Sequence, residues 1–181
     1  MKIITRDIDK SWTLFLDRDG VINERIVDDY VKSWQEFRFL PGVKESIAVL
    51  SGIFGRVIVV TNQQGVGKGW MTEKELSDVH HKMKEEITAS GGNIDAVYYC
   101  TKLKSEKDNC RKPAVTMFEW AMRDFPEMIP EKCIMVGDSE SDMVFGKNAG
   151  MFTVFVGEEY DEADLVVPDL KSFAAFFDVN T

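Results

Sequence analysis

The sequence predicts an α/β three-layer sandwich, in which a central parallel sheet lies between two layers of helices. Short runs rich in β-branched and aromatic residues alternate with longer amphipathic runs, as they do in proteins built on a parallel sheet. Polar and acidic residues directly follow several of the short runs, at the edge where such a sheet binds its ligands. The chain has 181 residues and no shift in composition along its length, so we expect one domain over residues 1–181.

Six short apolar runs are predicted to be strands because they are rich in valine, isoleucine and aromatic residues. They cover residues 13–16, 56–60, 96–99, 133–136, 152–156 and 164–167. Amphipathic patterns predict helices over residues 43–50, 72–90, 113–125, 139–148 and 170–177. Thr72 and Glu75 have the spacing of a capping box, and Gly91 and Gly92 suit the end of the same helix. Pro113 suits a first helical turn.

The composition limits the partners and the compartment. A net charge of -9 argues against a surface for nucleic acid or anionic membrane, since both are polyanions. The N-terminal stretch MKIITRDIDK lacks the apolar core of a signal peptide, and no apolar run approaches the ~20 residues of a membrane span. Cys100, Cys110 and Cys133 form no even disulfide framework. We therefore expect a cytoplasmic monomer with a small-molecule substrate.

Acidic and polar side chains follow three of the predicted strands. Asp17 and Asp19 follow the first strand, Thr61 and Asn62 the second, and Asp138 the fourth. Alternate side chains of an extended segment share a face, so the carboxylates of Asp17 and Asp19 would repel each other unless a positive charge lay beside them. Because the carboxyl ends of parallel strands meet at one edge, the sequence predicts a cation site there.

These residue types suit magnesium and a phosphate. Magnesium prefers oxygen ligands and keeps several waters, so Asp17 and Asp138 with one backbone carbonyl would suffice to hold it. A carboxylate beside such a phosphate can attack phosphorus, which predicts Asp17 as a nucleophile. Asp19 can act as general acid and base. Thr61 and a neighbouring backbone amide can bind the phosphoryl oxygens.

The individual motifs also have purely structural interpretations. A DxD pair after a strand is commonly a turn or a helix cap, and GDSESD at 137–142 can be one as well. GVGKGW at 65–70 has a lysine in a glycine-rich loop but lacks the flanking residues of a nucleotide-binding P-loop. His80 and His81 lie on a long polar helix, where we expect solvent-exposed side chains. Arg111 and Lys112, in the loop that follows the third strand, add a fourth polar element to the three at strand ends. The occurrence of all four favours a catalytic site.

The motifs DRDGVIN, VVTNQ, RKP and GDSESD resemble, in this order, the four signatures of the haloacid dehalogenase superfamily of phosphohydrolases. The resemblance implies a Rossmann-like, HAD-like fold. It also assigns the catalytic residues: the nucleophile Asp17, the acid and base Asp19, the phosphate binder Thr61 and the cation Lys112. Magnesium would be held by Asp17, Asp138 and the carbonyl of Asp19, with Asp142 behind them.

TNQ and CRKP more closely resemble one branch of this superfamily, which contains the D-glycero-D-manno-heptose 1,7-bisphosphate and histidinol-phosphate phosphatases. The segment between DRDG and the first helix leaves no room for a large cap domain. Members of this branch usually hold a structural zinc in a cysteine loop before RKP. Here Cys100 and Cys110 match two ligand positions, but Lys102 and Asp108 occupy the other two, so we expect no zinc.

Two features of the sequence favour different substrates. The segment that carries Tyr30, Phe37 and Phe39 resembles the heptose enzymes, whereas the short loop between the two cysteines resembles the histidinol-phosphate enzymes. We favour the heptose bisphosphate, with Asn62, Gln63, Lys68 and Arg111 as its binding residues, because that segment borders the substrate. Histidinol phosphate is the alternative. A non-catalytic binding module is less favoured because both aspartates are present. A nucleic-acid end phosphatase is less favoured because the sequence has no basic stripe.

Overall fold

The computed structural model describes residues 7–177 and confirms the predicted fold class. Six parallel strands form one sheet in the order β3-β2-β1-β4-β5-β6. The strands are β1 (Thr13–Leu16), β2 (Arg56–Asn62), β3 (Ala96–Cys100), β4 (Cys133–Gly137), β5 (Phe152–Val156) and β6 (Leu165–Val167). The chain moves outward from β1 in one direction and returns to its other side with β4, which leaves a crevice at the carboxyl end of β1.

Helices cover both faces of the sheet. They are α1 (Val43–Ile53), α2 (Glu73–Ala89), α3 (Thr116–Asp124), α4 (Glu140–Asn148) and α5 (Leu170–Ala175). Leu14 and Leu16 of β1 pack in the core with α1, α2 and α5, whereas Phe15 between them packs in the core with α3 and α4. All four residues of β1 are buried, so the strand that leads to Asp17 is anchored from both faces.

The helix boundaries differ from the prediction most clearly at α3. Pro113 does not start that helix, which begins at Thr116. The side chain of Asn62 holds both backbone groups of Lys112: Asn62 Oδ1 accepts from Lys112 N at 2.9 Å, and Asn62 Nδ2 donates to Lys112 O at 3.2 Å. This clamp keeps the backbone before Pro113 out of a helical turn. The capping box of Thr72 and Glu75 is confirmed.

The segment between β1 and α1 contains turns and one short 3-10 helix, Trp34–Glu36. Phe37 and Phe39 belong to its aromatic cluster, with ring centroids 4.9 Å apart, and both pack against the core. They therefore do not border a substrate as predicted. Tyr30 differs from these two residues, because it lines the cavity at the carboxyl edge of the sheet. Among residues 7–177, no helix is both long and apolar enough to cross a membrane.

The cysteines differ from the prediction. Cys100 and Cys110 are joined by a disulfide, because the loop after β3 returns to bring their Cα atoms within 5.5 Å. Cys133 is a buried free thiol in the core, as predicted. The ammonium of Lys102 donates to the carbonyl of Asp108 at 2.8 Å. That zinc is absent stays a prediction. The disulfide removes one of the two arguments for a reducing compartment; the other concerns the N-terminus, whose first six residues lie outside the described part.

Candidate active site

The polar residues predicted at the strand ends converge on one cavity of about 440 Å³ at the carboxyl edge of the sheet. Asp17 follows β1 directly, and its backbone N–H donates to the carbonyl of Val136 in β4 at 2.9 Å. Thr61 is the sixth residue of β2 and Asp138 follows β4. Since β1 lies between β2 and β4, the three residues are neighbours at this edge. Asp17 and Thr61 line the cavity, and a carboxylate oxygen of Asp138 lies within 4.8 Å of one of Asp17.

Lys112 reaches this space from the loop before α3 and is buried there. Its ammonium lies 2.7 Å from Asp17 Oδ1 and 2.6 Å from Asp142 Oδ1, and it donates to the carbonyl of Val60 at 2.8 Å. Burial alone would lower the pKa of Lys112, but the carboxylates of Asp142 and Asp17 outweigh that effect and raise it. The lysine is therefore a fixed positive charge at the floor of the cavity.

Three carboxylates crowd this floor. Asp17, Asp138 and Asp142 each offer a ligand atom within 4.8 Å of the others. Burial raises the pKa of Asp17 to about 7, against the opposing effect of Lys112. Burial likewise raises the pKa of Asp138 to about 6. The protein alone does not fully compensate these charges, so the floor has the character of a cation site.

Asp19 is turned away from this cluster by three donors. Arg18 Nη2 lies 3.0 Å from both carboxylate oxygens, Asn23 Nδ2 donates at 2.9 Å, and Gln63 Nε2 donates at 2.7 Å. Burial raises the pKa of Asp19. The charge of Arg18 and the hydrogen bonds from Asn23, Arg18 and Gln63 outweigh this effect, so the pKa lies below its ordinary value. The side chain of Asp19 is therefore held at the cavity wall as an anion, and only its backbone carbonyl faces the carboxylate cluster.

Arg25 is a site residue that the sequence analysis missed. Its Nη2 lies 2.5 Å from Asp138 Oδ1 and 4.0 Å from Asp17 Oδ2, and it donates to the Asp19 carbonyl at 3.1 Å. These are the three oxygen groups proposed to hold magnesium, so a side-chain cation stands where the donor set fits a metal ion. The only sequence signal was a basic residue in the loop that follows the DxD pair.

The mouth of the cavity carries further positive charge. Lys68 and Arg111 both line it, together with Tyr30. The ammonium of Lys68 lies 4.1 Å from the ring centroid of Trp70, which places it over the aromatic face. Arg111 Nη1 is buried and has no hydrogen-bond partner among residues 7–177. An anion in the cavity would supply the acceptor that this group lacks.

Two predicted positions have other surroundings than expected. Gln63 is fully buried behind the cavity, where its Nε2 also donates to Thr61 Oγ1 at 2.8 Å. It supports Thr61 and Asp19 and does not line the substrate space. His80 is buried as well, 3.1 Å from Arg18 Nη1, whereas His81 is exposed as predicted. The polar pattern of α2 predicts exposure for both histidines. It does not reveal that the turn with His80 lies against the loop after β1.

Comparison with known proteins identifies the family. A family model described as HAD-hydrolase-like matches residues 109–173. The D-glycero-alpha-D-manno-heptose-1,7-bisphosphate 7-phosphatase of Mycobacterium bovis is 39% identical over 138 residues, which cover 76% of this chain and 72% of that protein. The chain belongs to the haloacid dehalogenase-like phosphatases.

Further relatives of this HAD-like phosphatase agree with the assignment. The D-glycero-beta-D-manno-heptose-1,7-bisphosphate 7-phosphatase of Helicobacter pylori is 34% identical over 137 residues, covering 75% of this chain and 78% of that one. The D,D-heptose 1,7-bisphosphate phosphatase of B. bronchiseptica, whose crystal structure contains magnesium and phosphate, superposes with a TM-score of 0.82 at 29% identity. That alignment covers 91% of this chain and 97% of the other.

The raised pKa of Asp138 predicts how the stability of the metal-free phosphatase depends on pH. The folded state holds this proton more tightly than the unfolded chain, so the contribution is present at low pH and is lost as pH rises through about 6. Asp138→Asn should therefore exceed the parent's free energy of unfolding in EDTA at about pH 7.5, by up to ~3 kcal/mol. The difference should fall below about 1 kcal/mol near pH 4, close to the unfolded pKa of 3.8. Urea unfolding at both pH values checks this; a less stable variant at pH 7.5 would contradict it.

Proposed function

We propose that the protein is a magnesium-dependent, single-domain phosphatase that removes the 7-phosphate of D-glycero-D-manno-heptose 1,7-bisphosphate through an aspartyl phosphate on Asp17. The observation that carries this proposal is the contact between Asp17 and Lys112 at the floor of a cavity with further cations at its mouth. The names of the relatives support the reaction and the substrate class.

In the first step, a carboxylate oxygen of Asp17 attacks the phosphorus of the bound phosphate, and the bond between phosphorus and the sugar oxygen breaks. Asp19, an anion in the free enzyme, takes up a proton when the substrate binds and transfers it to the departing sugar oxygen. Thr61 donates to a phosphoryl oxygen, and Lys112 balances the charge that spreads over the phosphoryl group. The products of this step are the sugar, with a free hydroxyl group in place of the phosphate, and an acyl phosphate on Asp17.

In the second step, water attacks the phosphorus of the acyl phosphate. Asp19 is now ionised and takes a proton from that water, and the bond between phosphorus and Asp17 breaks. Inorganic phosphate forms and Asp17 is again a free carboxylate. Asp19 releases its proton as the phosphate leaves and returns to its anionic state. The bonds from Arg18, Asn23 and Gln63 keep Asp19 off the carboxylate cluster, so the same side chain can serve both steps from one position.

The residues present fit magnesium. Asp17, Asp138 and the carbonyl of Asp19 would hold it, all through oxygen, and Asp142 stays behind them against Lys112 and Ser139. When bound, magnesium neutralises both the carboxylates and a phosphate oxygen, which allows two anions to approach. The magnesium in the related crystal structure supports this assignment.

The cavity mouth supports a bisphosphate as substrate. Lys112 and a bound magnesium ion would suffice to balance the charge of one phosphate. Lys68 and Arg111 place two further cations along the cavity. The unpartnered Arg111 Nη1 is suited to an anionic group in the mouth. Histidinol phosphate, the alternative, carries a cationic amine and an imidazole beyond its phosphate, and these cations would repel its amine.

Kinetics with the two substrates test the assignment. We expect kcat/KM for the heptose 1,7-bisphosphate to exceed that for histidinol phosphate by at least ~100-fold, about 2.7 kcal/mol of transition-state discrimination. Lys68→Ala should narrow the difference, because it removes a cation that only the bisphosphate uses. Lys104→Ala, which removes an equal charge from the loop after β3, is the control. Equal or reversed efficiencies in the parent enzyme would favour the histidinol-phosphate assignment.

The position of Arg25 predicts a competition with magnesium. Its guanidinium contacts the metal-binding oxygens, so magnesium must displace it. Arg25→Gln should therefore bind magnesium more tightly in isothermal titration calorimetry, by about tenfold or ~1.4 kcal/mol. Arg123→Gln makes the same change of residue and charge away from the cavity and serves as control. Weaker magnesium binding by Arg25→Gln than by Arg123→Gln would refute the competition.

A further inference from the structure

A buried chain of polar contacts lies behind Asp19, on the side away from the cavity. The guanidinium of Arg18 has no exposed surface, which makes Arg18 the largest fully buried side chain among residues 7–177. Its Nη2 contacts both carboxylate oxygens of Asp19 at 3.0 Å, and its Nη1 lies 3.1 Å from Nε2 of His80. His80 belongs to α2, and its ring centroid lies 5.4 Å from that of Tyr99 in β3.

The chemistry of the two side chains fixes the direction of the contact. A guanidinium has only donors and stays protonated, so the nitrogen of His80 that faces it must accept. His80 is therefore neutral, with its proton on Nδ1. Burial, and next the charge of Arg18, lower the pKa of His80 to about 3, in agreement with a neutral ring. His80 thus provides an acceptor that adds no charge and does not compete with Asp19 for the guanidinium.

This acceptor determines where Asp19 stands. The guanidinium is a rigid plane, so a bond that fixes Nη1 also fixes Nη2 and the carboxylate it holds. Asp19 and His80 are the only hydrogen-bond partners of the Arg18 side chain among the described residues. Arg18 Nε is already buried without a hydrogen-bond partner among the described residues. Without His80, Nη1 would become a second such donor, and this added cost would favour rotation of the guanidinium. Asp19 would move with it, and small displacements of a reacting group cost large factors in rate.

We propose that His80 is a positioning residue for the reaction, which holds the general acid Asp19 in place through the guanidinium of Arg18. The proposal rests on the acid role of Asp19 in the proposed function. His80 does not line the cavity, and it links the loop after β1 to α2.

Two amide variants separate positioning from packing. In His80→Gln the amide oxygen can occupy the place of Nε2 and accept from Arg18. In His80→Asn the shorter side chain puts the amide near the place of Nδ1, out of reach of Arg18. Both variants keep a polar, uncharged side chain, so a difference between them reports the acceptor. His81→Asn changes the adjacent exposed residue and serves as control.

The readout is kcat/KM for two leaving groups. A sugar alkoxide needs the proton of Asp19 to depart, whereas p-nitrophenolate leaves without one. His80→Asn should lower kcat/KM for the sugar phosphate by about tenfold or more, and for p-nitrophenyl phosphate by less than about threefold. His80→Gln should stay within about threefold of the parent for both substrates. Circular dichroism and urea unfolding establish that each variant is folded.

Two results would overturn the role of His80: equal losses on both substrates in His80→Asn, or a His80→Gln variant as impaired as His80→Asn. Asp19→Asn distinguishes this failure from a failure of the proposed function. If Asp19→Asn also loses both substrates equally, Asp19 is not the acid, and the role of His80 falls with it. If Asp19→Asn loses mainly the sugar phosphate activity but His80→Asn does not, Asp19 is the general acid and the positioning role of His80 is wrong. If the enzyme does not hydrolyse the heptose bisphosphate, the alkyl phosphate that it hydrolyses fastest is compared with p-nitrophenyl phosphate instead.

Discussion

The carboxyl edge of the sheet brings Asp17, Asp138 and Asp142 so close that their ligand atoms lie within 4.8 Å, and the buried ammonium of Lys112 makes this arrangement tolerable. Removing one partner of such a buried pair leaves an uncompensated charge and is strongly destabilising. The pKa values of Asp17 and Asp138 remain raised even with Lys112 present. The site therefore lacks positive charge in its resting state, and this deficit is what a metal ion satisfies.

Several parts of the fold serve to deliver that ammonium. Asn62, at the end of β2, holds the backbone of Lys112 by both its N–H and its carbonyl. Lys112 lies two residues beyond Cys110, whose disulfide to Cys100 ties this part of the loop to the end of β3. On the opposite side, the backbone N–H of Asp17 is tied to β4. Nucleophile and cation thus come from distant parts of the chain and meet because both are fixed to the central strands.

The sequence predicted the strands, and the meeting of the residues that follow them, because both depend on local patterns. Apolar runs indicate strands, and a parallel sheet places the residues after its strands at one edge, so Asp17, Asp138 and Thr61 were brought together correctly. The misplaced residues depend on contacts between distant segments. Nothing local distinguishes the buried His80 from the exposed His81, since only the approach of Arg18 decides it. Arg25 likewise reaches Asp138 only because the loop after β1 folds back over the sheet edge. Cys100 and Cys110 meet only because the loop after β3 folds back on itself.

The central claim is that Asp17 attacks phosphorus, and trapping the covalent intermediate tests it most directly. The enzyme is mixed with magnesium and substrate, quenched in acid within the first turnover, and digested for mass spectrometry of the peptide that contains Asp17. Asp19→Asn should accumulate more of the intermediate from an aryl phosphate, because its second step lacks the base. The account predicts phosphate on Asp17 in both enzymes and none in Asp17→Asn. A phosphorylated peptide elsewhere in the chain, or full turnover by Asp17→Asn, would contradict it.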